Sequence, residues 1–243
     1  MKILAFDTSN RCLSVAIVEN NNILGQTTIN TKLQHSAVLM PVIDQLLKMT
    51  GIKIEQIDRF VVAQGPGSYT GIRIAVTTAK SLAWTLNKEL VGVSSLAVLA
   101  ANISSRQNLP IIPLFNARRN NVFASIYRWE NNKLVNIMAD THISIDDLIA
   151  QVATMNTPVI FVGDDVKLFV EQLQNKLGTQ ALFADQKFNL PNASVLADLG
   201  AQMSPVANIY QFVPTYLRRT EAENNWLQAH PDAPRSASYV KEV

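Results

Sequence analysis

Residues of three kinds in this sequence have side chains suited to chemistry. The first are the histidines, His35, His142 and His230. Metal-dependent hydrolysis needs two of them one helical turn apart, as in His-Glu-x-x-His, so that both imidazoles reach one ion. No pair has that spacing, so neither a metal site nor a catalytic set is expected from them. The second is the segment Gly65-Pro66-Gly67-Ser68-Tyr69-Thr70-Gly71-Ile72-Arg73-Ile74. Its glycines can adopt backbone angles closed to other residues, and Ser68 or Thr70 can cap a following helix. Such a loop is either a tight strand-to-helix turn or an anion cradle at a helix N-terminus. No Lys-Ser or Lys-Thr follows the last glycine, as a Walker loop requires, and Ser68 is not in a Gly-x-Ser-x-Gly elbow. The third are Asp7 and Asn116, each at the end of an apolar run and followed by a polar turn. A kinase would hold magnesium and ATP between two such turns, with a carboxylate near the acceptor. Asp7 supplies a carboxylate at the first turn; Asn116 keeps the size and hydrogen-bonding capacity at the second but not the charge. Asp7 also reads as a turn residue that accepts backbone hydrogen bonds.

The elements that must position these groups follow one pattern written twice. Ile3 to Phe6, Leu13 to Val18 and Ile23 to Ile29 read as strands of a meander, joined by Asp7-Thr8-Ser9-Asn10-Arg11 and by Glu19-Asn20-Asn21-Asn22. A helix is expected over Ser36 to Met49, a strand over Phe60 to Ala63, a helix from Gly71 to Leu86, a strand over Leu90 to Val93 and a helix beginning near Ser95. Past Pro110 the order recurs. Strands over Ile111 to Phe115, Val122 to Trp129 and Lys133 to Met138 are followed by helix Ile145 to Val152, strand Val159 to Val162, helix Val166 to Leu177, strand Ala181 to Phe183 and helix Ala193 to Met203. Both second turns contain Glu-Asn-Asn, and both first strands end in Asp or Asn, which points to duplication of a βββαβαβα unit. The expected fold class is α/β. The unit resembles the two-lobed actin-like ATPase and sugar-kinase fold, with lobes at 1–106 and 107–222 and a polar tail over 223–243.

Several segments together resemble the TsaB family: the glycine-rich loop, Phe6-Asp7-Thr8-Ser9, Cys12-Leu13-Ser14-Val15-Ala16, His35-Ser36, Ala79-Lys80-Ser81-Leu82-Ala83, Val93-Ser94-Ser95-Leu96, Asn116-Ala117-Arg118-Arg119 and Pro214-Thr215-Tyr216-Leu217-Arg218. They fall in that family's order over residues 1 to 220. The family's usual Asp-Ala-Arg-Arg is Asn-Ala-Arg-Arg here. The resemblance implies a non-catalytic subunit that binds the transferase TsaD, with the small ATPase TsaE as a further member, in forming threonylcarbamoyladenosine on ANN-decoding tRNAs. It implies no required cofactor and leaves ADP or ATP binding open, with Asp7, Ser9, Gly65, Gly67 and Arg118 as the residues such an anion would meet. An active ATP-dependent kinase or ATPase of the same fold is the alternative.

Composition narrows the partners. With 21 Lys plus Arg against 19 Asp plus Glu, the net charge is +2, and the densest basic clusters are the pairs Arg118-Arg119 and Arg218-Arg219. RNA contact is therefore expected only through a complex. Cys12 is the sole cysteine, so no disulfide forms within the chain, and the apolar run at the N-terminus ends at Asp7, too early for a membrane span. A cytoplasmic protein with no membrane contact is expected. On the helix over Gly71 to Leu86, Ala75, Ala79 and Ala83 recur at every fourth residue and form one row. With Leu39 and Ile43 of the preceding helix, that row is expected to meet TsaD or a second copy in a homodimer. Packing on the chain's own sheet is the other reading of the same row.

Overall fold

The computed structural model describes residues 1–31, 34–218, 226, 229 and 230. The first half runs β1 (Lys2–Asp7), β2 (Leu13–Glu19), β3 (Asn22–Ile29), α1 (His35–Thr50), β4 (Arg59–Gly65), α2 (Tyr69–Leu86), β5 (Glu89–Ser94) and α3 (Ser95–Ala101). The second repeats it with β6 (Ile111–Arg118), β7 (Asn121–Glu130), β8 (Lys133–Ser144), α4 (Ile145–Ala153), β9 (Val159–Val162), α5 (Val170–Leu177), β10 (Ala181–Phe183) and α6 (Ala193–Ala201). The two five-stranded sheets have the same order, β3-β2-β1-β4-β5 and β8-β7-β6-β9-β10. In each, the first three strands are antiparallel and the last two join in parallel. This is the duplicated βββαβαβα, actin-like α/β fold expected from the sequence.

The repeated Glu-Asn-Asn has a physical cause. A two-residue hairpin whose twist suits its strands needs positive φ at both central positions, and asparagine tolerates this better than other residues with a Cβ. Asn20 and Asn21 have φ of 48° and 67°, and Asn131 and Asn132 have φ of 50° and 60°. Two expected boundaries move. Strand β8 continues past Met138 because Thr141–Ser144 pair with Asn121–Ala124. The helix expected over Val166 to Leu177 is divided: a short 3-10 turn, Asp164–Leu168, precedes α5, and Phe169 between them has φ −121° with its ring in the core.

Helices α1 and α2 cover one face of the first sheet, packing Leu39, Ile43, Leu46 and Val76 on Leu4, Phe6, Val15, Phe60 and Val62. Helices α4 and α5 do the same for the second sheet. The last helix of each half goes to the other half: α3 places Leu96, Leu99 and Ala100 against Ile111, Phe115, Phe123 and Tyr127, while α6 places Ala193, Leu196 and Ala197 against Ile3, Ala5, Ala16 and Val61. The division expected at 106/107 lies between α3 and β6, and both exchanged helices cross it. Polar ties follow the same route. Asn102 donates to the carbonyls of Phe188 and Leu190 at 2.9 and 2.8 Å, and the Ala193 N–H donates to Ser14 Oγ at 3.0 Å. The buried Arg59 donates to the Gly200 and Met203 carbonyls at 2.7 and 3.0 Å and pairs with Glu89 at 2.6 Å, so one guanidinium satisfies carbonyls at the end of α6. Most of the tail expected over 223–243 lies outside the described residues. Among the described residues no helix is long and apolar enough to cross a membrane.

Candidate functional site

Between the halves lies a cleft of about 520 Å³, lined by the first meander turn, the glycine-rich loop, the second meander turn, Phe123, Asp165 and the segment from Thr215 to Arg218. Duplication therefore brings the two chemically suggestive turns to one place.

The first turn is closed. Asp7, Thr8 and Ser9 are all 0% exposed. The Ser9 N–H donates to Asp7 Oδ1 at 2.7 Å, the Thr8 hydroxyl to the Gly71 carbonyl at 2.7 Å, and the Ser68 N–H to the Ser9 carbonyl at 2.7 Å. A Cβ on Gly67 would overlap the Ser9 carbonyl, and one on Gly71 the Thr8 carbonyl. The glycines are there so that the start of α2 can lie directly on the first turn, with Ser68 Oγ capping the helix by accepting the Gly71 N–H. Gly65 has φ 115°, and a Cβ there would stand 2.5 Å from the Thr215 carbonyl. The loop forms a tight strand-to-helix turn, and Gly67, Ser68 and Thr70 of it line the cleft. The Thr8 hydroxyl and the Ser9 N–H of the first turn are engaged within the chain. Of the residues an anion was expected to meet, Ser9, Gly67 and Arg118 line the cleft, whereas Asp7 and Gly65 stand behind it.

Asp7 Oδ2 and Ser9 Oγ have no hydrogen-bond partner among the described residues. Burial pushes the Asp7 carboxyl above its ordinary 3.8; the Ser9 hydroxyl and N–H oppose this, although the hydroxyl completes no bond of good geometry. Folding therefore raises this pKa. The native state holds the proton more tightly than the unfolded chain, so ionised Asp7 costs stability above its folded pKa, and that cost vanishes as the pH falls to 3.8. Asp7→Asn keeps the Oδ1 acceptor for Ser9. It is expected to raise the melting temperature at pH 7, with the gain shrinking as the pH is lowered, and a lowered melting temperature at pH 7 would show that the charge is needed.

The second turn repeats the local bond with an amide in place of the acid. The Arg118 N–H donates to Asn116 Oδ1 at 2.8 Å, the same i to i+2 link that joins Ser9 to Asp7, so asparagine suffices for the turn. The Asn116 N–H donates to Asp165 Oδ2 at 2.8 Å. Burial pushes the Asp165 carboxyl up, and this backbone bond opposes the shift. Arg118, Arg119 and Asn120 all have positive φ, at 67°, 51° and 58°. Burial first, then the neighbouring Arg218, pushes the His142 imidazole down, which favours its neutral form against the Phe123 ring.

Two features of the cleft lay outside the sequence reading. Tyr69 and Tyr216 stack with ring centroids 4.9 Å apart, and Arg73 lies over Tyr69 and donates to its hydroxyl at 2.7 Å. Arg218 reaches Arg118's turn, donating to the Ala117 carbonyl at 2.9 Å. The only sequence signal was the motif Pro214-Thr215-Tyr216-Leu217-Arg218, which gave no location.

The expected partner row needs correction. Leu39, Ile43, Ala75, Ala79 and Ala83 are at most 1% exposed and belong to the core beneath α1 and α2. Alanine at every fourth position lets α2 approach its own sheet closely, which is the other reading of the row. The outward faces carry Met40, Met49 and Trp84, at 44%, 76% and 60% exposure.

Comparison with known proteins agrees with this architecture. The family model described as "TsaD: tRNA N6-adenosine threonylcarbamoyltransferase" matches residues 22–226. The tRNA threonylcarbamoyladenosine biosynthesis protein TsaB of Bacillus subtilis is 36% identical over 229 residues, spanning 94% of this chain and 99% of that protein. TsaB of Haemophilus influenzae is 31% identical over 128 residues, spanning 51% of this chain and 53% of that one. Among solved structures, YeaZ from Pseudomonas aeruginosa superposes with a TM-score of 0.73 at 24% identity, covering 89% of this chain and 99% of that one, a likeness of fold.

Proposed function

This chain belongs to the TsaB family, and we propose that it is the non-catalytic subunit that binds and activates a TsaD-type transferase, with a TsaE-type ATPase as a further member, in forming threonylcarbamoyladenosine on tRNA in the cytoplasm. The observation that supports this reading is that neither meander turn offers an open carboxylate: Asp7 is buried beneath the chain's own glycine loop, and the second turn has Asn116 where a kinase would need an acid.

The outward faces of α1 and α2 fit a helical partner. Met40 and Trp84 offer flexible and aromatic apolar area on adjacent helices, the residue types that anchor interfaces. The same faces serve a homodimer when the transferase is absent, so the two associations compete.

The test is recovery of the tagged full chain from its native cells with mass identification of what accompanies it. A TsaD-type protein is expected in the wild-type eluate and absent, or reduced at least tenfold, with Trp84→Glu, whose melting temperature should match the wild type because the side chain is exposed. Phosphate release from ATP by the isolated chain at an ordinary enzymatic rate, with no such partner recovered, would instead establish the kinase or ATPase alternative.

A further inference from the structure

We propose that the interlobe cleft is a contact surface for single-stranded RNA, taking an unstacked base on the Tyr69–Tyr216 pair and the adjoining phosphates on Arg118 and Arg218. The inference rests on the family reading above and assigns part of the tRNA contact to this chain itself.

The net charge of +2 conceals how the charge is placed. The two densest basic pairs in the sequence are about a hundred positions apart, yet folding brings Arg118 and Arg218 to one rim, where Arg218 bonds the Ala117 carbonyl. Arg73 joins them from α2 by lying over Tyr69. Against these guanidiniums the cleft lining holds one carboxylate, Asp165, already engaged by the Asn116 N–H. Tyr69 and Tyr216 remain 45% and 42% exposed although they stack on each other, which leaves aromatic surface for a third ring. Ser9, whose Oγ has no partner among the described residues, lies at the floor of the same cleft.

Exposed aromatic rings beside arginines are what single-stranded nucleic acid needs. Every base has a face to stack, and the guanidiniums follow the backbone. The cleft's volume, about 520 Å³, suits one splayed nucleotide.

Fluorescence anisotropy with a labelled tRNA anticodon stem-loop, read on the full chain and on its complex with the TsaD-type partner, tests this. Binding that falls with salt is expected, with preference over a fully paired RNA of the same length. Tyr216→Ala should weaken it about tenfold or more, Tyr216→Phe should retain it, and Arg218→Gln should lower the salt slope by about one. Equal affinity of wild type and Tyr216→Ala, or equal binding of the fully paired RNA, would overturn the proposal. So would loss of partner capture by Tyr216→Ala with RNA affinity unchanged, which would make the cleft a protein contact. Partner capture by the wild-type chain, scored in parallel, separates failure of this inference from failure of the family reading.

Discussion

Ala79→Trp is expected to lower the stability of the isolated chain by more than about 3 kcal/mol, or roughly 10 °C in melting temperature, and not to act first on a partner. Ala79 is 0% exposed on the face of α2 that packs over β4, within the cluster formed by Phe6, Phe60, Val62 and Val76. An indole there adds a large ring to a fully buried position where alanine lets helix and sheet approach. Either α2 lifts from β4 or the chain fails to fold. Thr77→Trp, on the exposed side of the same helix, should leave the melting temperature near that of the wild type. Thermal denaturation of both variants separates the faces. An unchanged melting temperature for Ala79→Trp would mean that the row faces solvent or a partner after all.

The alanine row also shows where sequence reasoning reaches its limit. Spacing at every fourth residue places side chains on one face but does not say what that face meets, and small residues suit a sheet of the same chain as well as a helix of another. The duplication was legible because two hairpin turns needed positive φ and the chain used asparagine pairs in both. Residue type recorded backbone geometry there. The glycine-rich loop was legible as a turn but not as the cover of the first meander turn, since contact with Thr8 and Ser9 is made across more than fifty residues of chain. Exchange of α3 and α6 between halves left no trace, because an apolar helix reads alike whichever sheet it covers. The convergence of Arg118 with Arg218 is of the same kind: two ordinary basic pairs become one rim only through topology.

Asparagine at position 116 shows how one substitution keeps structure while changing chemistry. The turn needs an oxygen to accept the Arg118 N–H, and either Asp or Asn supplies it. The charge of an aspartate would add a metal-ligating group, which asparagine lacks. At the first turn the charge is retained but buried, with one carboxylate oxygen unpaired among the described residues. Neither turn therefore presents an open carboxylate to the cleft, and what the cleft does present is arginine and tyrosine.

Gly71→Ala tests whether that arrangement depends on the close approach of α2 to the first turn. Gly71 is inside α2, and its φ is not positive, so alanine can adopt its backbone conformation. Helix propensity alone would make the substitution stabilising by about 1 kcal/mol. The added methyl, however, would overlap the carbonyl of Thr8, and backbone cannot yield as a flexible side chain can. The packing term is expected to win, for a net loss of about 1–3 kcal/mol and a melting temperature lower by several degrees. Relief by displacement would move the turn from Asp7 to Asn10, breaking the bond from the Thr8 hydroxyl to the Gly71 carbonyl and shifting Ser9 at the floor of the cleft. RNA affinity should fall along with stability. Gly51→Ala is the matched control: its φ of 69° makes alanine costly by about 1 kcal/mol, yet a Cβ there meets nothing within 4 Å and lies outside the cleft lining. Loss of RNA binding in Gly71→Ala but not in Gly51→Ala ties the glycine loop to the cleft. A rise in melting temperature for Gly71→Ala would mean that the loop does not press on the first turn.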